Sequence, residues 1–126
     1  MNITRLNEGA WMSNIVIHGS TVYLSGQIPS DEQGIQAQTK AVLEKVDTAL
    51  AEVESHRGNL LSATIILADM DDFAAMNLVW EAWLSTYPKP TRACFEGRLA
   101  DPNWKVEVVV TAALGNSDDS ARVSPP

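Results

Sequence analysis

Two ionised residues stand where a plain core strand would carry none. Arg92 lies in Pro90-Thr91-Arg92-Ala93-Cys94-Phe95-Glu96-Gly97-Arg98-Leu99, and Glu107 lies in Trp104-Lys105-Val106-Glu107-Val108-Val109-Val110-Thr111-Ala112-Ala113-Leu114. Both segments read as β-strands, and lone charges are costly wherever solvent is excluded. A guanidinium fork can hold a carboxylate bidentately, and a carboxylate within reach of water can accept its proton. Arg92 and Glu107 are therefore the candidate functional pair of a small-molecule site. The plainer alternatives are an interface ion pair or a solvated strand residue for Arg92, and a structural partner for a cation across an interface for Glu107.

Period-two alternation puts Arg92, Cys94, Glu96 and Arg98 on one side of their strand. In the last strand Lys105, Glu107, Val109 and Thr111 share a side. A simple hairpin across Ala100–Asn103 would set Glu96 against Glu107 and Arg98 against Lys105, which cross-strand electrostatics disfavours. It would also leave Arg92 and Glu107 about four residues, roughly 13 Å, out of step. Either the last strand inserts elsewhere in the sheet, or the two charges meet through a subunit interface.

The remaining candidates have simpler readings. Cys94 has no histidine placed by a motif to activate it, so a buried, inert thiol is expected. His18 falls at a hairpin turn and His56 at a helix end, and with scattered acids they make no metal-ligand spacing. Asp69-Met70-Asp71-Asp72 lacks the loop length and glycine of a calcium site and reads as helix N-capping. Trp80 and Trp83 are expected to pack a helix onto the sheet. Asn77, on the same stripe, is better explained by a cleft contact.

The elements that must position these residues follow from the pattern. Ile3–Leu6 reads as a leading strand, and Ile15–His18 and Thr21–Gly26 as a hairpin about Gly19-Ser20. From Ile35 to about Glu54 the apolar residues recur at helical spacing, with His56-Arg57-Gly58-Asn59 as stop signals. Ala63–Ala68 reads as a buried strand, and Asp72–Ser85 as a second helix closed by Pro88 and Pro90. The order is that of an α+β domain with both helices on one face of a sheet. Val106–Ala113 is apolar almost throughout, which suits a mid-sheet strand covered on both faces. One helix layer covers one face only, so the second cover is expected to be another subunit.

Composition narrows the function classes. The formal charge of −7 over 126 residues, with no cluster of Lys or Arg, argues against phosphate-backbone binding. The single cysteine excludes an intrachain disulfide framework and a multi-Cys zinc site. Met1–Glu8 has no apolar signal region, and no apolar run approaches the ~20 residues of a membrane helix. A cytoplasmic setting is expected. Residues 1–114 form one expected domain and 115–126, almost without apolar content, a disordered tail.

Four segments also carry a resemblance. Ser25-Gly26-Gln27-Ile28-Pro29, Asp72-Phe73-Ala74-Ala75-Met76-Asn77, Pro90-Thr91-Arg92-Ala93-Cys94 and Lys105-Val106-Glu107-Val108 resemble, in order, the YjgF-type reactive intermediate (imine/enamine) deaminase, or Rid, family. The resemblance implies a chorismate-mutase-like α+β fold: a mixed β-sheet with two helices on one face, assembled as a homotrimer with ligand clefts between subunits. It implies hydrolysis of small 2-imino acids, or enamine tautomers such as 2-aminoacrylate, to 2-keto acids and ammonia, without metal or organic cofactor. Arg92 matches the carboxylate-holding arginine, Cys94 a position offering main-chain polar groups, and Glu107 the water-positioning glutamate. Ser25, Gly26 and Asn77 match other cleft positions. Trp11 stands where many members carry a cleft tyrosine, and Leu99-Ala100 where many carry Leu-Pro. A non-catalytic trimer that binds small carboxylates for a regulatory role is the alternative.

Overall fold

The computed structural model describes residues 2–115. The expected tail therefore lies outside the described residues, apart from Gly115. Six strands make one mixed sheet in the order β1-β2-β3-β6-β4-β5. They are β1 (Ile3–Glu8), β2 (Ser13–His18), β3 (Thr21–Leu24), β4 (Leu60–Leu67), β5 (Thr91–Glu96) and β6 (Val106–Ala113). Helices α1 (Ile35–Glu52) and α2 (Phe73–Trp83) link β3 to β4 and β4 to β5.

Strand β6 inserts between β3 and β4, antiparallel to both, while β5 lies parallel to β4 at the sheet edge. The unfavourable hairpin between the last two strands is thus avoided. The connections through α1 and α2 step across the sheet in the same direction. Crossovers of one hand then put both helices on the same face. In one core on that face lie Val42, Val46 and Leu50 of α1, Met76 and Trp80 of α2, Leu84 just past its end, and Val106, Val108, Val110 and Ala112 of β6. Each of these strand residues alternates with a half-buried one, so β6 turns its other side away from the helices.

Among the described residues, no helix lies over that other side. Register places Arg5, Val16, Tyr23, Thr111, Ser62 and Thr91 in one row across all six strands, with Val109, Thr64, Ile66 and Phe95 in the rows beside it. Tyr23 is 44% exposed and Phe95 50%.

Two local departures from the sequence reading have clear causes. Helix α1 ends at Glu52 because Glu54, without a glycine, adopts φ +60°, and Ser55 N–H returns to Leu50 O. Gly115 seats on this reversal, since a Cβ there would fall 2.0 Å from Glu54 O. His56-Arg57-Gly58-Asn59 is a separate turn in which His56 Nδ1 accepts from Gly58 N–H. Arg57 is no simple helix-end charge. It pairs bidentately with Asp47 at 3.2 and 2.7 Å and lies 5.0 Å from the Trp83 ring, tying α1 to α2.

The segment joining β5 to β6 must cross the end of β4, and Gln38 holds it there. Only 3% exposed, the Gln38 amide donates to Glu32 O and Asn103 O and accepts from Lys105 N–H. Gln38→Ala would leave these buried groups unpaired, at a cost of roughly 1–3 kcal/mol. Urea unfolding at fixed protomer concentration should show a lower midpoint with an unchanged slope.

Candidate functional site

Edge strand β5 turns Arg92 and Cys94 toward the helix layer, where α2 supplies what surrounds them. The Arg92 guanidinium lies 5.6 Å from the Phe73 ring and 5.7 Å from the Trp80 ring, a geometry in which a cation gains from the ring quadrupole. Its Nη1 donates to Asn77 Oδ1 at 2.5 Å. The only ion pair among the described residues is Arg57–Asp47, so Arg92 faces solvent with donors to spare. Burial pushes the Cys94 thiol above its ordinary value, and the Arg92 charge opposes that rise.

Glu107 belongs to a different cluster. It stands opposite Ile66 on the face without helices, and its side chain lies on Gly26, where a Cβ would come 2.0 Å from Glu107 Oε2. The Gln27–Val108 backbone pair, at 2.8 and 3.1 Å, fixes Gly26 at this distance from β6. Ser25, next in chain, donates its hydroxyl to Asn14 Oδ1 at 2.9 Å, and Gln27 Nε2 donates to the same oxygen at 3.1 Å. Asn14, and the part that Gln27 plays beside it, were not read from the sequence, where nothing distinguishes an amide clamp from loop polarity.

The two clusters lie on opposite sides of one sheet. Arg92 pairs with Ala63 and Glu107 with Ile66, and those β4 positions are three apart, an odd step that reverses the face. Asn77 and Cys94 go with Arg92; Gly26 and Ser25 go with Glu107. Within one chain Arg92 and Glu107 do not form a pair. Trp11 joins neither cluster: it is 96% exposed at the β1–β2 turn, beside Met12 at 62%. A surface cavity of about 580 Å³, lined by Ala68, Glu96, Arg98, Asp101, Pro102 and Trp104 among others, contains none of the candidate residues. Among the described residues no group of three or more His, Cys, Asp or Glu could hold a metal ion.

Comparison with known proteins agrees with this architecture. The family model described as Endoribonuclease L-PSP matches residues 3–114. The chain belongs to the YjgF/Rid family. A RutC family protein of Haemophilus influenzae is 43% identical over 114 residues, covering 89% of this chain and 98% of the relative. The crystal structure of a YjgF family member from Neisseria meningitidis superimposes with a TM-score of 0.90 at 38% identity, covering 93% of this chain and 98% of that one. A more distant relative, 29% identical over 102 residues and covering 75% of this chain and 80% of its own, is the 2-iminobutanoate/2-iminopropanoate deaminase of Salmonella typhimurium. As a YjgF/Rid fold, the chain carries its mixed sheet and helix pair as the resemblance implied. Among the described residues no helix is long and apolar enough to cross a membrane.

Two measurements test the clusters directly. Gly26→Ala must displace the Glu107 carboxylate, and a crystal structure of the folded variant should show that side chain turned away from residue 26. Alkylation of Cys94 by neutral iodoacetamide should reach half its limiting rate above the ordinary thiol range, since a raised pKa leaves less thiolate at any given pH. Arg92→Ala removes the opposing charge and should move that midpoint higher still.

Proposed function

We propose that this protein hydrolyses small 2-imino acids, or their enamine tautomers, to 2-keto acids and ammonia in the cytoplasm. The site is composite, with Arg92 contributed by one subunit and Glu107 by its neighbour in a homotrimer. The observation that carries this reading is the placement of the two clusters on opposite faces of one sheet, each complete except for the other. The uncovered face around Tyr23, Val109, Ile66 and Phe95 is the surface a second copy would cover.

The chemistry follows from these groups. Arg92, floored by aromatic rings and steadied by Asn77, binds the substrate carboxylate with its free N–H edge, which fixes the direction of the C=N bond. The main-chain groups of Cys94 line the same pocket; its thiol, short of thiolate, takes no covalent part. Glu107, close-packed on Gly26, accepts a proton from water as the oxygen attacks the imine carbon. General-base help of this kind is worth roughly 10²–10⁴-fold. That proton passes to nitrogen, giving a carbinolamine; transfer of its hydroxyl proton to the same nitrogen makes ammonia the leaving group, the C–N bond breaks, and the 2-keto acid is released. Every atom comes from imine and water, so no cofactor is needed. Trp11, exposed in its own chain, lies against the substrate side chain across the subunit boundary.

A second reading, carboxylate binding without turnover, is favoured by the commitment of the Ser25 hydroxyl to Asn14 and by the absence of a phenol at Trp11. Both leave Glu107 to carry the proton alone. Endoribonuclease activity, named in the family description, sits poorly with a charge of −7.

Keto-acid release should be followed with 2-iminobutanoate generated in situ by an amino-acid oxidase. Arg92→Ala and Glu107→Gln should each lower kcat/KM by roughly 10²-fold or more. Mixing the two inactive variants under subunit exchange should restore part of the activity, because some interfaces then combine a native Arg92 with a native Glu107. Wild-type turnover by Arg92→Ala would remove the catalytic assignment. Unchanged binding of 2-ketobutyrate with no turnover by the native protein would favour the second reading.

A further inference from the structure

The residue behind the Arg92 clamp is Glu81. It lies one helical turn beyond Asn77 on α2, and Asn77 Nδ2 donates to Glu81 Oε1 at 3.0 Å. The other atom of the same amide, Oδ1, accepts from Arg92 Nη1. A guanidinium has only donors and an ionised carboxylate only acceptors, so these two neighbours leave Asn77 a single orientation. Amide nitrogen faces Glu81, and amide oxygen faces Arg92. We propose that Glu81 is a positioning residue, which locks Asn77 and through it holds Arg92 ready for the substrate carboxylate. The inference rests on the reading of Arg92 as the carboxylate anchor.

An amide between the two charges has a specific advantage. A carboxylate placed directly on Arg92 would occupy the fork that the substrate needs, and would repel the incoming anion. Asn77 is neutral and uses one Nη1 hydrogen, leaving the remaining guanidinium donors free. The rings of Phe73 and Trp80, 5.6 and 5.7 Å away, attract the guanidinium charge but offer no directional hydrogen bond to fix its rotation. The Asn77 contact supplies that missing restraint. It does so only while the amide presents oxygen rather than nitrogen. With Glu81 gone, the amide loses the acceptor that pins its nitrogen and is held by Arg92 alone, so amide and anchor move more freely and must be re-ordered each time substrate binds.

Position 81 is exposed and helical, so Glu81→Ala should fold normally. With 2-iminobutanoate generated in situ, Glu81→Ala should raise KM by roughly 3- to 10-fold with little change in kcat, the signature of lost binding common to ground and transition states. Glu81→Gln, whose side-chain oxygen can accept the same N–H, should restore KM to within about twofold of wild type. In an Asn77→Ala background, Glu81→Ala should add nothing further. The inference is overturned if Glu81→Ala leaves KM unchanged, if Glu81→Gln is as impaired as Glu81→Ala, or if the effect persists without Asn77. The last two results would mean that the charge acts through space. Arg92→Ala in the same assay separates the two levels. If it abolishes turnover while Glu81→Ala behaves as wild type, only the role of Glu81 falls; if Arg92→Ala turns over normally, the anchor reading beneath it falls.

Discussion

The insertion of β6 between β3 and β4 is the constraint on which the rest of the structure depends. Once that strand lies mid-sheet, the ladder sets which of its side chains meet the helices, and the choice is binary. Val106, Val108, Val110 and Ala112 take the helix side and form the centre of the core. Glu107 is thereby sent to the opposite face. A one-residue slip would bury its carboxylate beneath α1 and expose the valines, so the core itself enforces the orientation of the charge. The same ladder, read through β4, sends Arg92 to the helix side.

On the proposed reading, a sheet that carries Arg92 and Glu107 on opposite faces does not bring the two into one centre within a single copy. It can do so by presenting one cluster to a neighbour's other cluster, and the uncovered face offers the surface for it. Tyr23, Val109, Ile66 and Phe95 supply apolar area, and Thr111 and Ser62, hydrogen bonded to each other at 2.6 Å, meet their own polar needs. Covering such a face gains about 25 cal/mol for each Å² of apolar surface removed from water. On this reading the force that joins the subunits and the force that completes the site are one.

Much of this was legible in the residues because period carries it. The shift from alternation to helical spacing located both helices to within a few residues. The charge clash between Glu96 and Glu107 argued against a hairpin of the last two strands, and the ladder has none. Side chains whose value depends on a distant partner were illegible. Gln38 earns its place through Asn103 and Lys105, some 65 residues away, and Arg57 through Asp47 and Trp83. Neither contact has a local signal. Trp80 was legible as core, but not as the ring beneath Arg92. The reversal at Glu54 was missed because its positive-φ residue is a glutamate and not a glycine, and the glycine that lets the chain pass close lies far off at 115.

The candidate site divides along the same line. Arg92 and Glu107 stood out because a charge in an apolar strand violates a local rule, whereas Glu81 violates none. On an exposed helix face a glutamate is ordinary, and only the two hydrogen bonds of Asn77 give it a part. The two kinds of residue also differ in how assembly should affect them. In a lone chain Arg92 is bathed in water, where a unit charge attracts another at 4 Å by only about 1 kcal/mol. A neighbour that excludes water from the fork would raise that attraction several-fold while leaving the guanidinium's orientation as α2 set it. On the proposed reading, orientation belongs to the single chain and strength to the assembly.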